Sequence, residues 1–205
     1  EIMSGDWSSD VCSSDLHIEQ VTKKDCGRGV EGKEDALPGC DGLITNEPGV
    51  ALTMNFADCT PLLFFDPVRK AIGLAHGGWR GTAGNIAGLT VEKMKEAFGS
   101  EAKDILAAIG PAMGPDRFEV GDDVIQAFTN LFGKTEVLDL YKPTKEGKYL
   151  FNMWEANRRL LLRAGLQKDH IECADICTHT HTDLFFSYRK EKGKTGRHMA
   201  VMELH

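Results

Sequence analysis

Two short apolar runs constrain the fold more than any other feature of this sequence. PLLFFD (61–66) and AIGLAH (71–76) are separated only by the four residues PVRK. A connection of this length typically joins two antiparallel strands in a tight hairpin. We therefore predict a hairpin in which Asp66 pairs with Ala71, and this register fixes every other pair along the two strands.

The predicted register brings two chemically reactive side chains together at the open end of the hairpin. His76 lies opposite Pro61, and Cys59 stands two residues before Pro61, so the thiol and the imidazole point to the same face. Such a pair can supply two ligands to a zinc ion or form a Cys–His nucleophile. A buried cysteine beside a hydrogen-bonded histidine would also satisfy the pattern, and the spacing leaves these readings open.

A glycine-rich segment, GGWRGTAGN (77–85), follows the histidine. Glycine lets backbone N–H groups approach a ligand closely, and the start of a helix favours an anion. Arg80 can bind a phosphate with two hydrogen bonds, and Thr82 is a candidate helix cap. The alternative is a tight turn that carries a solvent-facing arginine.

The remaining chain alternates between short apolar runs and amphipathic stretches, which predicts a single mixed α/β sandwich. Asp122 is a candidate helix cap, and Asn152 with Glu155 has the form of a capping box. The predicted helices cover 85–98, 122–132 and 152–165. The predicted strands cover 17–23, 41–45, 50–56, 61–66, 71–76, 105–111, 171–177, 183–188 and 198–204.

Residues 1–16 differ sharply in composition from the rest. They hold five of the seven serines and four acidic residues, with no lysine or arginine, and DWSSDVCSSDL resembles the translation of a sequencing-library adapter. We expect them to lie outside the native fold and treat 17–205 as the domain. Without them, 27 acidic and 24 basic residues leave a net charge of −3.

The composition of residues 17–205 narrows the classes of partner and location. A mildly acidic chain without a basic stripe argues against nucleic-acid binding. No apolar run approaches the roughly 20 residues that a membrane-spanning helix requires. An odd number of irregularly spaced cysteines indicates reduced thiols and a cytoplasmic location.

Five motifs resemble the laccase-domain family in order and spacing: GCDGLIT, FADCTPLLFFD, AHGGWRGTAG, AIGPAMGP and FFSYRKEKGKTGR. Bacterial members of that family have been labelled polyphenol oxidases. They are regarded as zinc-dependent purine nucleoside phosphorylases that also act on methylthioadenosine and deaminate adenosine. The resemblance implies a layered α/β sandwich of the CNF/YfiH-like type with a mixed sheet, and purine nucleosides and inorganic phosphate as partners.

The resemblance also implies roles for particular residues. Cys59 and His76 match the metal ligands, with zinc as the metal and copper as an alternative. From their positions at strand ends, and not from the resemblance, Asp41 and Asp58 are candidates either for orienting the histidine through a hydrogen bond or for an ordinary turn or cap. Arg80 is expected to take part in catalysis, and the candidate residues for binding substrate or phosphate are Arg80, Gly81, Thr82, Asp41, Arg189 and Arg197.

The family's third metal ligand, a histidine in a Gln-x-His motif, is expected around residues 13–15, where this chain has Ser13, Ser14 and Asp15. His17 is too close to the following segment to match. The chain is therefore expected to be an N-terminally truncated member that binds metal weakly and has impaired activity, because a catalytic zinc normally keeps three protein ligands.

Other readings of the chemistry are a metal-free Cys–His hydrolase, a copper-dependent polyphenol oxidase and an inactive nucleoside-binding fragment. CTHTHTD also places Cys177, His179 and His181 at alternate positions of a predicted strand. Neighbours on one face of a strand lie nearly ~7 Å apart, which is too far to share one ion without a bend.

Overall fold

The computed structural model describes residues 2–4, 14–29 and 35–205 and builds them from short strands and four α-helices. The helices are α1 (Trp79–Ala83), α2 (Ile86–Phe98), α3 (Asp122–Phe132) and α4 (Met153–Arg163). The strands are β1 (Ile2–Ser4), β2 (Ile18–Gln20), β3 (Gly42–Thr45), β4 (Ala51–Phe56), β5 (Thr60–Asp66), β6 (Ala71–Gly77), β7 (Leu106–Ile109), β8 (Glu119–Val120), β9 (Tyr141–Pro143), β10 (Tyr149–Phe151), β11 (Ile171–Cys173) and β12 (His198–Met202). None of the helices in these residues is long and apolar enough to cross a bilayer.

A mixed six-stranded sheet forms the middle layer, in the order β11-β7-β5-β6-β3-β2. The four central strands pair antiparallel, whereas the outermost pair on each edge is parallel. Both faces of the sheet are covered, which explains why β3 is buried at every position. Two three-stranded sheets accompany it, with the orders β1-β4-β12 and β8-β10-β9.

The two faces of the six-stranded sheet carry different cores. The helical face includes Phe64 and Ala75 from the sheet, packed with apolar residues of α2, α3 and α4. The opposite face includes Ile72 and Leu74, packed with Leu52, Met54 and Phe56 of β4. The result is a sandwich of helices, a mixed sheet and a second small sheet, and it confirms the predicted fold class.

The β5–β6 hairpin has the register that the sequence predicts. Asp66 pairs with Ala71, and Pro61 pairs with His76. Asp66 is fully buried, and its Oδ1 accepts hydrogen bonds from the backbone N–H groups of Val68 and Arg69 in the turn. The side chain therefore fixes the tight turn that sets the register.

The three predicted helices are present, but two of their caps differ. Asn152 accepts a hydrogen bond from the N–H of Glu155, which is the first half of the predicted capping box, whereas the carboxylate of Glu155 accepts from Arg159 Nε. The N-cap of α2 is Asn85 in a left-handed conformation, because Thr82 lies inside the short helix α1. Gly121 is the N-cap of α3, so Asp122 is its first residue and supplies charge there without capping it.

The predicted strands near the C-terminus are shorter than expected. The strand predicted over 171–177 ends at Cys173, and residues 183–188 form turns and bends. The turns around His181 and Ser187 close on their own backbone, with Phe185 N donating to His181 O and Glu191 N donating to Ser187 O. Local hydrogen bonds of this kind replace a strand ladder, which the apolar residues of 183–188 cannot reveal.

Residues 1–16 were expected to lie outside the fold, and the structure differs at both ends of that segment. β1 pairs in parallel with β4, and Leu16 packs against the core on the helical face. Residues 5–13 lie outside the described part of the chain.

The Asn152 cap provides a test of helix α4. Replacing Asn152 with alanine removes the acceptor for Glu155 N–H and should lower the free energy of unfolding by about 1 kcal/mol. The matched variant Asn152→Asp keeps the acceptor and should stay close to wild type. Urea denaturation measures both, and equal losses in the two variants would contradict this role of the side chain.

Candidate active site

Cys59 and His76 lie at the same end of the hairpin. His76 is the sixth residue of β6, and Cys59 is in the bend between β4 and β5, one residue before β5 begins. His76 alternates in register with Ile72 and Leu74, and Cys59 packs against the apolar cluster that contains those two residues. The thiol and the imidazole therefore belong to the same face of the sheet.

The environment of His76 keeps its imidazole neutral. The ring is half-buried, and its centroid lies 5.3 Å from that of Phe56. Burial lowers the pKa of His76 to about 4, well below its ordinary value of 6.5. A neutral imidazole is the form that binds a metal ion, so the residue is already in that form at neutral pH.

The donor set for a catalytic zinc is incomplete in the residues that the structure describes. Cys59 and His76 have the right chemistry, with one thiolate and one imidazole. Within residues 2–4, 14–29 and 35–205, however, no group of three His, Cys, Asp or Glu side chains is arranged to hold a metal ion. Two donors do not make the three-ligand site that catalytic zinc requires.

Asp41 supports the histidine strand rather than an anion. The backbone carbonyl of Asp41 accepts a hydrogen bond from His76 N at 2.8 Å. Its Oδ2 accepts from Ser14 Oγ at 3.1 Å and from Leu16 N at 2.8 Å. Burial raises the pKa of the carboxyl, although these hydrogen bonds oppose the shift. An engaged carboxylate repels phosphate, so the expected role of Asp41 in phosphate binding is not supported by its contacts.

The segment where the third ligand was expected runs beside this aspartate. Ser14 contacts Asp41 as described, and its Oγ lies 3.3 Å from where a Cβ on Gly81 would be. Ser13 lies outside the described residues. His17 is directed away, because its Nε2 is 2.8 Å from Glu19 Oε2 and its side chain is 53% exposed. His17 is thus not placed as a ligand.

The glycine-rich segment contains α1 and separates its polar residues. Arg80 is exposed, and its guanidinium lies 4.2 Å above the ring of Trp79. Gly81 and Thr82 are buried. The Thr82 hydroxyl donates to Asn157 Oδ1 of α4 at 3.3 Å, deep between α1 and α4. The contact of the Thr82 hydroxyl gives no support to the expectation that its side chain binds phosphate, and Arg80 remains the candidate in this segment.

Asp58 contacts the loop that follows β11. Its Oδ1 accepts from Thr178 Oγ1 at 2.7 Å, and its Oδ2 accepts from Arg189 N at 2.7 Å. Its backbone oxygen accepts from Met113 N at 3.0 Å. We expected Asp58 to orient the ring of His76, whereas the hydrogen bonds that the structure gives its carboxylate hold this loop.

Arg189 and Arg197 lie on the same side of the molecule as Asp58. Arg189 is exposed, and its Nη1 donates to Glu119 O at 3.1 Å. The guanidinium of Arg197 lies 5.7 Å from the ring centroid of Tyr188, and its Nη1 donates to Gly196 O at 2.9 Å. Both arginines retain N–H groups that an anion can use.

The Cys177, His179 and His181 cluster does not form a strand face. Cys177 makes an isolated bridge to Ala112, and the following residues form turns. The sulfur of Cys177 accepts a hydrogen bond from Gly114 N at 3.2 Å. These three side chains do not form a metal site, because no group of three or more His, Cys, Asp or Glu side chains in the described residues could hold a metal ion.

His198 is a residue of this region that the motifs did not single out. Its ring is 6.4 Å from that of Phe56, and Phe56 in turn contacts His76. Both ring nitrogens of His198 are buried and have no hydrogen-bonding partner among the residues that the structure describes. Burial lowers the pKa of His198, while the charge of Asp58 opposes the shift. Partly buried and exposed residues alternate along β12, and His198 is at one of the partly buried positions. This alternation is the sequence signal that would have placed the histidine on the inner face of the strand.

Comparison with known proteins identifies relatives of the chain. The sequence profile of a family described as "Multi-copper polyphenol oxidoreductase laccase" matches residues 6–205. "Purine nucleoside phosphorylase YlmD" of Geobacillus stearothermophilus is 42% identical over 195 residues, which are 94% of this chain and 71% of that protein. The protein of the same name from Bacillus subtilis is 37% identical over 188 residues, which are 92% of this chain and 67% of that protein.

A solved structure has the same fold. The Bacillus licheniformis hypothetical protein YfiH superposes with a TM-score of 0.93 at 38% sequence identity, and the match covers 100% of this chain and 74% of that one. Identity at this level over the whole chain supports a common architecture for the β5–β6 region that carries Cys59 and His76.

The low pKa of His76 predicts a pH dependence of stability in the metal-free protein. The folded-state pKa of about 4 lies below the unfolded value of 6.5. The contribution of His76 to the free energy of unfolding is therefore complete above pH 6.5. It falls as the pH drops from 6.5 towards 4, because the unfolded state binds the proton first. When the pH is lowered from 7 to 5, the free energy of unfolding should fall by about 1–2 kcal/mol less in His76→Gln than in the wild type.

Urea unfolding with a chelator present, at pH 7 and at pH 5, measures this difference. His179 and His198 also titrate at lowered pKa values, and they are common to both proteins. The same pH dependence in the His76→Gln variant and the wild type would contradict the prediction.

Proposed function

This chain belongs to the family described as multi-copper polyphenol oxidoreductase laccase, and on that premise we propose that it is a purine nucleoside phosphorylase. The reaction would transfer the ribosyl group of inosine, adenosine or guanosine from the base to inorganic phosphate. The main support is the placement of Cys59 and His76 on one face of the hairpin. Two relatives with 42% and 37% identity carry that name.

Cys59 and His76 are the metal ligands that this part of the chain contributes, and zinc is the metal we propose. When bound, zinc acts as a Lewis acid that lowers the pKa of water. With two ligands in the described residues, we expect weak binding of zinc. In this role Cys59 is a ligand thiolate, which distinguishes the proposal from a metal-free Cys–His hydrolase.

Phosphorolysis itself requires an anion held beside a positively charged sugar. The glycosidic C–N bond breaks, a phosphate oxygen forms the new bond to the anomeric carbon, and the purine leaves with the bonding electrons. Fixed charges that match this distribution lower the barrier. We propose that Arg80 holds the phosphate and that Arg189 and Arg197 help to bind the anion, because a guanidinium group can bind a phosphate through paired hydrogen bonds.

Two further activities follow from the resemblance as finer proposals: phosphorolysis of methylthioadenosine and deamination of adenosine. We expect deamination to be the weaker in this chain, because it depends on the water that zinc would acidify. Copper at the same two donors is the alternative metal, with weak oxidation of phenols as its signature. We also propose a cytoplasmic location, because an odd number of irregularly spaced cysteines after residue 16 is typical of reduced thiols.

The proposal predicts that phosphorolysis depends on the thiol of Cys59 and the imidazole of His76. In the presence of zinc, Cys59→Ser and His76→Gln should each lower kcat/KM for phosphorolysis of inosine by about 100-fold or more, because each removes a metal ligand. Cys173→Ser, at a partly buried thiol on β11 that packs against the core on the helical face, is the matched control and should retain wild-type activity.

Release of hypoxanthine and of ribose 1-phosphate measures the reaction. Activity that survives a chelator but is lost in Cys59→Ser would favour the hydrolase reading. Zinc-bound wild-type protein without any phosphorolysis, but with calorimetric binding of inosine, would leave a nucleoside-binding fragment and overturn the proposal.

The expected position of the third ligand gives a gain-of-function prediction. A histidine at position 13 or 14 would add the missing nitrogen donor, so either Ser13→His or Ser14→His should tighten zinc binding by about 10-fold to 100-fold. His17→Gln should leave zinc affinity unchanged, because His17 is paired with Glu19 at the surface. Competition with a chromophoric chelator measures affinity, and no gain in either serine variant would contradict the inferred position.

A further inference from the structure

Asp58, the residue before Cys59, holds two distant positions of one loop with a single carboxylate. Oδ1 accepts from the side chain of Thr178, and Oδ2 accepts from the backbone of Arg189, both at 2.7 Å. Hydrogen bonds to a charged acceptor are about twice as strong as neutral ones. The carboxylate therefore closes the chain between these two residues, which we call the 178–189 loop.

This loop is part of a long connection with little structure of its own. From Ala174 to Arg197 the chain forms no helix or strand, apart from the isolated bridge at Cys177. Connections longer than about 12–15 residues without secondary structure are uncommon and are usually functional. Such a segment keeps a defined position only where specific hydrogen bonds hold it, and Asp58 supplies two of them.

The same aspartate also fixes the segment between β7 and β8. Its backbone oxygen accepts from Met113 N. Thr178 is fully buried, and its own N–H donates to Ala112 O at 3.0 Å. Three stretches of chain thus meet around the bend that carries Cys59.

The backbone of Asp58 shows that these contacts compensate for strain. Its φ is +84°, in the left-handed region that side chains other than glycine seldom adopt. Residues in such conformations persist where the surrounding structure over-determines them, and they cluster at functional sites. The two carboxylate hydrogen bonds and the Met113 contact are the interactions that hold this conformation.

We propose that Asp58, together with the buried hydroxyl of Thr178, is a positioning element that fixes the 178–189 loop against the Cys59 bend. The loop ends at Arg189, so the contact sets the distance between the thiolate side of the site and one of its arginines. The effect on phosphorolysis rests on the proposed function, whereas the mechanical effect on the loop does not.

The decisive variants act on Thr178, because they leave the backbone of Asp58 intact. Thr178→Val keeps the shape of the side chain but removes the hydroxyl that donates to Asp58. Thr178→Ala removes the same hydroxyl with a smaller side chain, which adds no bulk at this buried position. Thr178→Ser keeps the hydroxyl. Thr180→Val is the matched control, since the Thr180 hydroxyl bonds Cys177 O and does not contact Asp58.

Two measurements report on the loop and on the bend without any assay of activity. We expect trypsin to cleave native Thr178→Val and Thr178→Ala about 10-fold faster between Arg189 and Arg197, because cleavage follows the population of the opened loop. Site-resolved alkylation of Cys59 should accelerate in the same two variants. Thr178→Ser and Thr180→Val should behave as wild type in both measurements.

A kinetic measurement connects the contact to the reaction. In zinc-loaded protein, Thr178→Val should raise KM for phosphate more than it lowers kcat, because it misplaces Arg189 and leaves the metal donors unchanged. Unchanged cleavage and alkylation in Thr178→Val and Thr178→Ala would overturn the positioning role. If Thr178→Val and Thr178→Ala show faster cleavage and alkylation but the zinc-loaded wild-type protein shows no phosphorolysis, the positioning role is supported and the proposed function alone is contradicted.

Discussion

The pairing of β5 with β6 is the constraint on which the rest of the structure depends. Asp66 closes the turn by accepting from two backbone N–H groups, and the pairs then follow to Pro61 and His76 at the other end. A shift of one residue would move every side chain of a strand to the opposite face. It would place His76 among the helices and separate it from Cys59. The chemistry of the site is therefore determined at a turn that lies at the far end of the hairpin.

The parts of the fold that could be predicted are those that neighbouring residues determine. The hairpin register follows from a count of residues, α2 follows from apolar periodicity, and α4 follows from its Asn152 cap. The common face of the Cys59 thiol and the His76 imidazole could be predicted for the same reason, since His76 belongs to the hairpin and Cys59 lies one residue before it. Strand predictions after residue 171 were less accurate, because turns closed by local backbone hydrogen bonds contain as many apolar residues as a strand.

The roles of polar residues were harder to predict, because their partners are far away in sequence. Thr82 is capable of capping a helix or binding an anion, and only the packing of α1 on α4 assigns it to Asn157. Asp58 was expected to act on a neighbouring histidine, yet its partners lie 120 and 131 positions along the chain. A hydroxyl or carboxylate can satisfy many partners, so its own sequence neighbourhood does not select one of them.

Asp41 joins two parts of the molecule that have separate origins in the chain. Its backbone carbonyl receives the N–H of His76, while its carboxylate receives Ser14 and Leu16. A peptide engineered into positions 14–16 keeps the hydrogen bond to Asp41 if it keeps the N–H of residue 16. This hydrogen bond holds the engineered segment beside the strand that carries His76. The segment is therefore a suitable place to introduce an aromatic side chain or an unnatural metal-chelating side chain without changing the rest of the sandwich.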